Sequence, residues 1–240
     1  MTLERLGGLE VRLTGGTDGK GGGHGPVVVL LHGFGAPGDD LVALWEYFEA
    51  PQGTRFVFPA GPLTVASLGF FESRAWWVID LEKRMREFAE GRPESFMKEV
   101  PQGLKEARER VVSLLADVDH KLGADPKRTV LGGFSQGAIL ACDVALRTER
   151  PFAGLVLLSG SLVARDEWVP LMPKRKGLPV IQSHGNGDPL LPFFIAELLR
   201  DHLTEAGLAV EWVPFRGGHE IPEVVVVKAG SFLRDVLGSR

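Results

Sequence analysis

The chain has 240 residues, 44% of them hydrophobic and 24% charged, enough for one domain with a full hydrophobic core. A net charge of −4 gives no basis for a nucleic-acid partner, and a single cysteine, Cys142, excludes an intrachain disulfide and a cysteine-built zinc site. No apolar run is long enough to span a bilayer, and MTLERLGGLEVRL lacks the basic and apolar regions of a signal peptide, so a cytoplasmic protein is expected.

Leu9–Leu13 alternates weakly and predicts an edge strand. The glycine-rich stretch Thr14–Gly25 predicts a mobile surface loop. Its GKGGGHG lacks the G-x-x-x-x-G-K-[ST] order and has no strand leading into it, which argues against a phosphate cradle. Pro26–Leu31 is a continuous apolar run, as in a strand buried on both faces. A helix is expected over Asp40–Phe48 and a strand over Arg55–Phe58. A long excursion then runs from about residue 61 to 100, and its first part, Gly61–Asp80, has little periodicity but carries Phe70, Phe71, Trp76 and Trp77. Helices are expected at Leu81–Glu90, Gln102–Leu122, Gln136–Arg147, Leu190–Ala206 and Ile221–Leu237. Strands are expected at Thr129–Gly132, Ala153–Ser159, Leu178–Ser183 and Ala209–Pro214. This alternation predicts a single α/β domain with a mainly parallel sheet covered on both faces.

GGFSQGA places Ser135 in G-x-S-x-G. With 31 glycines in the chain the motif alone carries little weight, but an apolar strand precedes it and a helix follows. That context is what a nucleophile elbow requires; the alternative is a serine capping an ordinary helix. A serine hydroxyl needs a base. Of the six histidines, His219 in FRGGHEIP follows the last strand, where an open parallel sheet gathers its ligand-contacting groups, whereas His32 and His184 at strand ends are expected to tie loops down. Asp188, in the turn after the Leu178–Ser183 strand, is the candidate carboxylate; its alternative role is to cap the helix that follows. The order Ser135, Asp188, His219 is the order of the α/β-hydrolase fold.

Four segments, LLHGFGA, GFSQGA, HGNGDPLLP and GGHEIP, resemble motifs of the phospholipase/carboxylesterase family of α/β-hydrolases, which includes the acyl-protein thioesterases. The resemblance runs from Leu30 to Pro222. It implies Ser135 as nucleophile, Asp188 as acid, His219 as base, and the backbone N–H groups of Phe34 and Gln136 as the oxyanion hole. It also implies hydrolysis of carboxylic esters, or thioesters in some members, with no metal or cofactor. Gly33, Gly35 and Gly38 also spell the G-x-G-x-x-G of a dinucleotide site, but the acidic residue expected about 20 positions on is absent. The reading is therefore a serine carboxylesterase acting on a small-molecule ester of short to medium chain length. The rivals are an acyl-protein thioesterase or lysophospholipase, and a hydrolase fold kept as a binding module. Phe70, Phe71, Trp76 and Trp77 are candidate substrate-binding residues, or else packing residues, and the surface is compatible with a homodimer.

Overall fold

A computed structural model describes residues 1–65 and 73–238. The main sheet has nine strands: β1 (Thr2–Leu6), β2 (Leu9–Gly16), β3 (Lys20–Gly22), β4 (Val27–Leu31), β5 (Arg55–Pro59), β8 (Thr129–Phe134), β9 (Gly154–Leu158), β10 (Pro179–Gly185) and β11 (Ala209–Phe215). Its order is β1-β2-β5-β4-β8-β9-β10-β11, with β3 beside β2. The run from β5 to β11 is parallel, and the β1–β2 hairpin adds an antiparallel edge. A separate two-stranded ribbon joins β6 (Leu63–Thr64) to β7 (Arg74–Ala75).

Helices cover both faces, and β4 shows why the sheet needs them. All five of its residues are buried. Val27, Val29 and Leu31 face the core beneath α4 (Leu104–Lys121) and α5 (Gln136–Arg147). Val28 and Leu30 face the opposite core, which α8 (Glu223–Gly238) closes with Val225, Phe232 and Leu233. A strand whose side chains alternate between two apolar layers has no polar face to show, so the sequence reads as an unbroken apolar run.

Most expected elements stand near their expected ends, and the departures have local causes. Thr14–Gly25 is not an irregular loop: β2 continues through the buried Thr14 to Gly16, and β3 pairs with it. The Asp18 carboxylate accepts the N–H groups of Lys20 and Gly22 and so folds the connection. The helix expected over Asp40–Phe48 contracts to the single turn α1 (Leu44–Tyr47). The residues before it form i→i+3 bonds instead, such as Val42 N–H to Asp39 O and Leu44 N–H to Leu41 O. The helix expected from Leu190 begins at Phe193 as α7 (Phe193–Glu205), because Pro192 holds its neighbour Leu191 out of the helical region. α2 (Leu81–Ala89) stands where expected, but three helical pieces had no strong signal in the sequence: α3 (Pro93–Lys98), α6 (Arg165–Trp168) and the 3₁₀ turns of Val169–Arg175. Phe70 and Phe71 lie outside the described residues.

Candidate active site

The turn between β8 and α5 carries Ser135 at φ 54°, ψ −117°, a conformation that costs a non-glycine residue about 1–3 kcal/mol. Its surroundings permit nothing larger on either side. A Cβ on Gly133 would come within 2.4 Å of the Leu31 carbonyl oxygen, and one on Gly137 within 1.9 Å of the same atom. The serine N–H donates to Leu158 O at 2.8 Å, which ties the turn to β9. The hydroxyl therefore stands at the C-terminal edge of the sheet, in the wall of a cavity of about 600 Å³.

His219 lines the same cavity, its ring 4.8 Å from that of Phe134. Its Nδ1 lies 2.6 Å from Oδ2 of Asp188. Asp188 also accepts the N–H groups of Leu190 and Leu191 through Oδ1, at 2.8 and 3.0 Å. The capping role expected as an alternative is not seen, since α7 starts at Phe193 with no side-chain cap; Asp188 instead closes the turn before it and orients His219. Burial works against its charge, but bonds from His184, His219 and the Leu191 N–H prevail and hold the carboxyl far below the usual range. With Asp188 ionised, Nδ1 of His219 is the donor and Nε2 is left to accept a proton.

Phe34 and Gln136 line the cavity beside Ser135. Neither backbone N–H has a hydrogen-bond partner among the described residues. Gln136 is the first residue of α5, where an N–H has no partner inside the helix. The loop that carries Phe34 is pinned on both sides. Gly35 N–H donates to Arg74 O at 2.9 Å, and Arg74 N–H returns to Ala36 O at 2.8 Å. Gly33 approaches Ser135 so closely that a Cβ would lie 3.4 Å from the serine Cβ.

His32 fixes the start of this loop. It is 2% exposed, with Nδ1 2.7 Å from Gly33 O while Nε2 accepts the Gly61 N–H at 2.8 Å. That pairing assigns the proton to Nδ1. Burial pushes the ring's pKa down to about 4. The Gln136 side chain, which sequence reasoning did not single out, braces the other flank. Its Oε1 accepts Trp76 N–H at 2.9 Å, and its Nε2 donates to Trp77 O at 2.8 Å. No sequence signal marks this, because the partners lie about 60 residues away.

The two tryptophans separate in role. Trp77 lines the cavity. Trp76 does not, although both rings are equally buried: its indole N–H donates to His32 O at 3.0 Å behind the loop. The remaining apolar wall was not expected. It comes from Leu81, Met85 and Phe88 of α2, Phe96 of α3 and Ile139 of α5. Arg84 anchors this wall through Glu87 at 3.0 Å and Glu99 at 2.8 Å, with its guanidinium over the Phe96 ring.

The profile of the phospholipase/carboxylesterase family matches residues 19–237. Acyl-protein thioesterase 1 of Neurospora crassa is 27% identical over 82% of this chain and 80% of its own length. The Aspergillus fumigatus protein of the same name is 28% identical, with 89% of each chain covered. Among solved structures, esterase PE8 superposes with a TM-score of 0.79 at 28% identity, covering 95% of this chain and 99% of its own. A carboxylesterase of Bacillus cereus, at 19% identity and a TM-score of 0.66, supports the fold alone. The chain belongs to the phospholipase/carboxylesterase family and is a serine hydrolase of the α/β-hydrolase fold.

Proposed function

We propose that the protein hydrolyses short- to medium-chain carboxylic esters through an acyl-enzyme on Ser135. His219 takes the serine proton as Oγ attacks the ester carbonyl, then gives it to the departing alcohol. Asp188 holds the ring in the tautomer this requires and stabilises the imidazolium. The N–H groups of Phe34 and Gln136 face the oxyanion. A water activated by His219 then releases the acid. The observation that carries this reading is the 2.6 Å contact between His219 and Asp188 at the edge of the cavity that holds the strained Ser135.

The acyl chain would lie along Trp77 and the apolar stripe of α2. A thioester substrate is the second reading, favoured by the relatives being named acyl-protein thioesterase 1. The test is a fluorophosphonate probe followed by p-nitrophenyl esters and acyl-CoA thioesters of graded length. The probe should label the wild type and spare Ser135→Ala. Ser135→Ala, His219→Ala and Asp188→Asn should each lower kcat by roughly 10⁴-fold or more, with non-additive losses when combined. Equal labelling of wild type and Ser135→Ala would remove Ser135 as the nucleophile.

A further inference from the structure

His184, near the end of β10, is fully buried, and its ring meets that of Phe193 edge-on. Its Nε2 lies 2.9 Å from the Leu191 carbonyl oxygen and 3.2 Å from Oδ2 of Asp188. Both neighbours only accept, so Nε2 carries a hydrogen and donates between them. Nδ1 is buried without a hydrogen-bond partner among the described residues. Two histidines therefore share one carboxylate oxygen. His219 reaches the cavity, whereas His184 does not line it. With the two N–H groups on Oδ1, the buried carboxylate of Asp188 is held by four donors, each standing in for a water it has lost.

We propose that His184 is a positioning residue for the reaction: its Nε2–H fixes Oδ2 of Asp188 in line with the His219 ring and takes up part of the carboxylate charge. The proposal rests on the triad reading of Ser135, Asp188 and His219. A carboxylate stripped of this donor would drift and would also hold the His219 proton more tightly. The imidazolium formed in the reaction would then be oriented less well, and His219 would serve less well as a base. Other charges on this side are Glu220, whose carboxylate accepts the Gly218 N–H, Asp40 on the cavity wall, and the exposed Arg216 in the His219 loop. Among the described residues, Asp188 alone of the carboxylates bonds to either histidine.

The substitution that separates positioning from packing is His184→Gln against His184→Leu. A glutamine places its amide N–H the same number of bonds from the backbone as Nε2 of histidine, whereas leucine offers volume only. His184→Leu should lower kcat about 10- to 100-fold with little change in KM, the loss of one hydrogen bond to a charged group. Its acid limb of kcat/KM should also move to higher pH. His184→Gln should restore most of both. If His184→Leu does not fold, His184→Asn replaces it, because its amide is one bond too short to reach Oδ2. Circular dichroism and probe labelling accompany every variant. Wild-type kcat and pH profile in folded His184→Leu would overturn the proposal, as would equal impairment of the glutamine and leucine variants with an unmoved acid limb. Ser135→Ala and His219→Ala are run alongside: if either stays active, the triad reading fails, whatever His184 does.

Discussion

At the residue scale, Gln136 serves two ends with one position. Its backbone N–H is free because it opens a helix, and its side chain holds the Trp76–Trp77 segment by two buried bonds. Gln136→Ala would orphan the Trp76 N–H and the Trp77 carbonyl. Each buried unpaired group costs about 1–3 kcal/mol, so the midpoint of urea unfolding should drop clearly. Gln136→Glu sets a carboxylate oxygen against the buried Trp77 carbonyl and should be destabilised at least as much; equal stability of all three proteins would show that these bonds contribute nothing net. Phe34 offers the complementary test, because its N–H matters in the proposed mechanism and its ring does not. Phe34→Ala should keep most activity on a small ester. Phe34→Pro deletes the N–H and should lose roughly a hundredfold to a thousandfold in kcat while circular dichroism stays native. Equal activity in the two variants would take the loop out of the oxyanion hole. The triad candidates were legible in the sequence because a nucleophile, an acid and a base each follow a strand end in a fixed order. The Gln136 side chain and His184 were not, since their importance lies in partners that only the folded chain supplies.

At the element scale, α2 and α3 decide the shape of the cavity. α2 starts cleanly, with Asp80 accepting the Lys83 N–H, and Leu81, Met85 and Phe88 then recur at helical spacing on one face. That periodicity made the helix legible. It could not say that the stripe lines the cavity beside Ser135 and does not bury itself in the core, because periodicity reports a face and not what faces it. α3 escaped notice because six residues give too few turns to establish a period, although Pro93 at its start is a usual signal. The Trp76–Trp77 pair yields the sharpest prediction here. Trp77→Ala should enlarge the cavity and shift the preferred ester toward longer chains, in a gradual profile because a fitted methylene is worth only about 1–3 kcal/mol. Trp76→Ala should leave that profile in place, and because both rings are buried each variant should also cost about 3–5 kcal/mol of stability. A chain-length series on both variants, read beside their unfolding curves, separates the two roles. A shifted profile in Trp76→Ala alone would reverse the assignment.

At the scale of the whole molecule, the parallel sheet delivers the ends of β4, β8 and β10 and the loop after β11 to one edge, and the loops there must be held without filling the cavity. The parallel sheet was readable from the alternation of elements, but its strand order was not. Nor were the cross-links between loops, since His32 joins β4 to a segment 29 residues on. That cross-link makes a prediction about stability. The folded state keeps His32 unprotonated until about pH 4, whereas an unfolded histidine binds its proton near about 6.5. Between those values the unfolded chain holds more protons, so stability rises with pH through this window. His32 thus contributes its full share above about pH 6.5, and as the pH falls to 4 that contribution shrinks by about 3 kcal/mol. Asp40 acts with the opposite sign in the same range, because desolvation raises its carboxyl to about 6 and its stabilising share is lost as the pH rises. The measurement is therefore a difference between wild type and His32→Gln, in which the Asp40 contribution cancels. Glutamine can still accept the Gly61 N–H but does not titrate. Urea unfolding at half-unit steps from pH 4 to 7.5 should show the wild type losing ground to the variant by about 1.4 kcal/mol per pH unit below 6. A flat difference would mean that His32 binds its proton equally well in both states, and that burial does not hold the ring unprotonated.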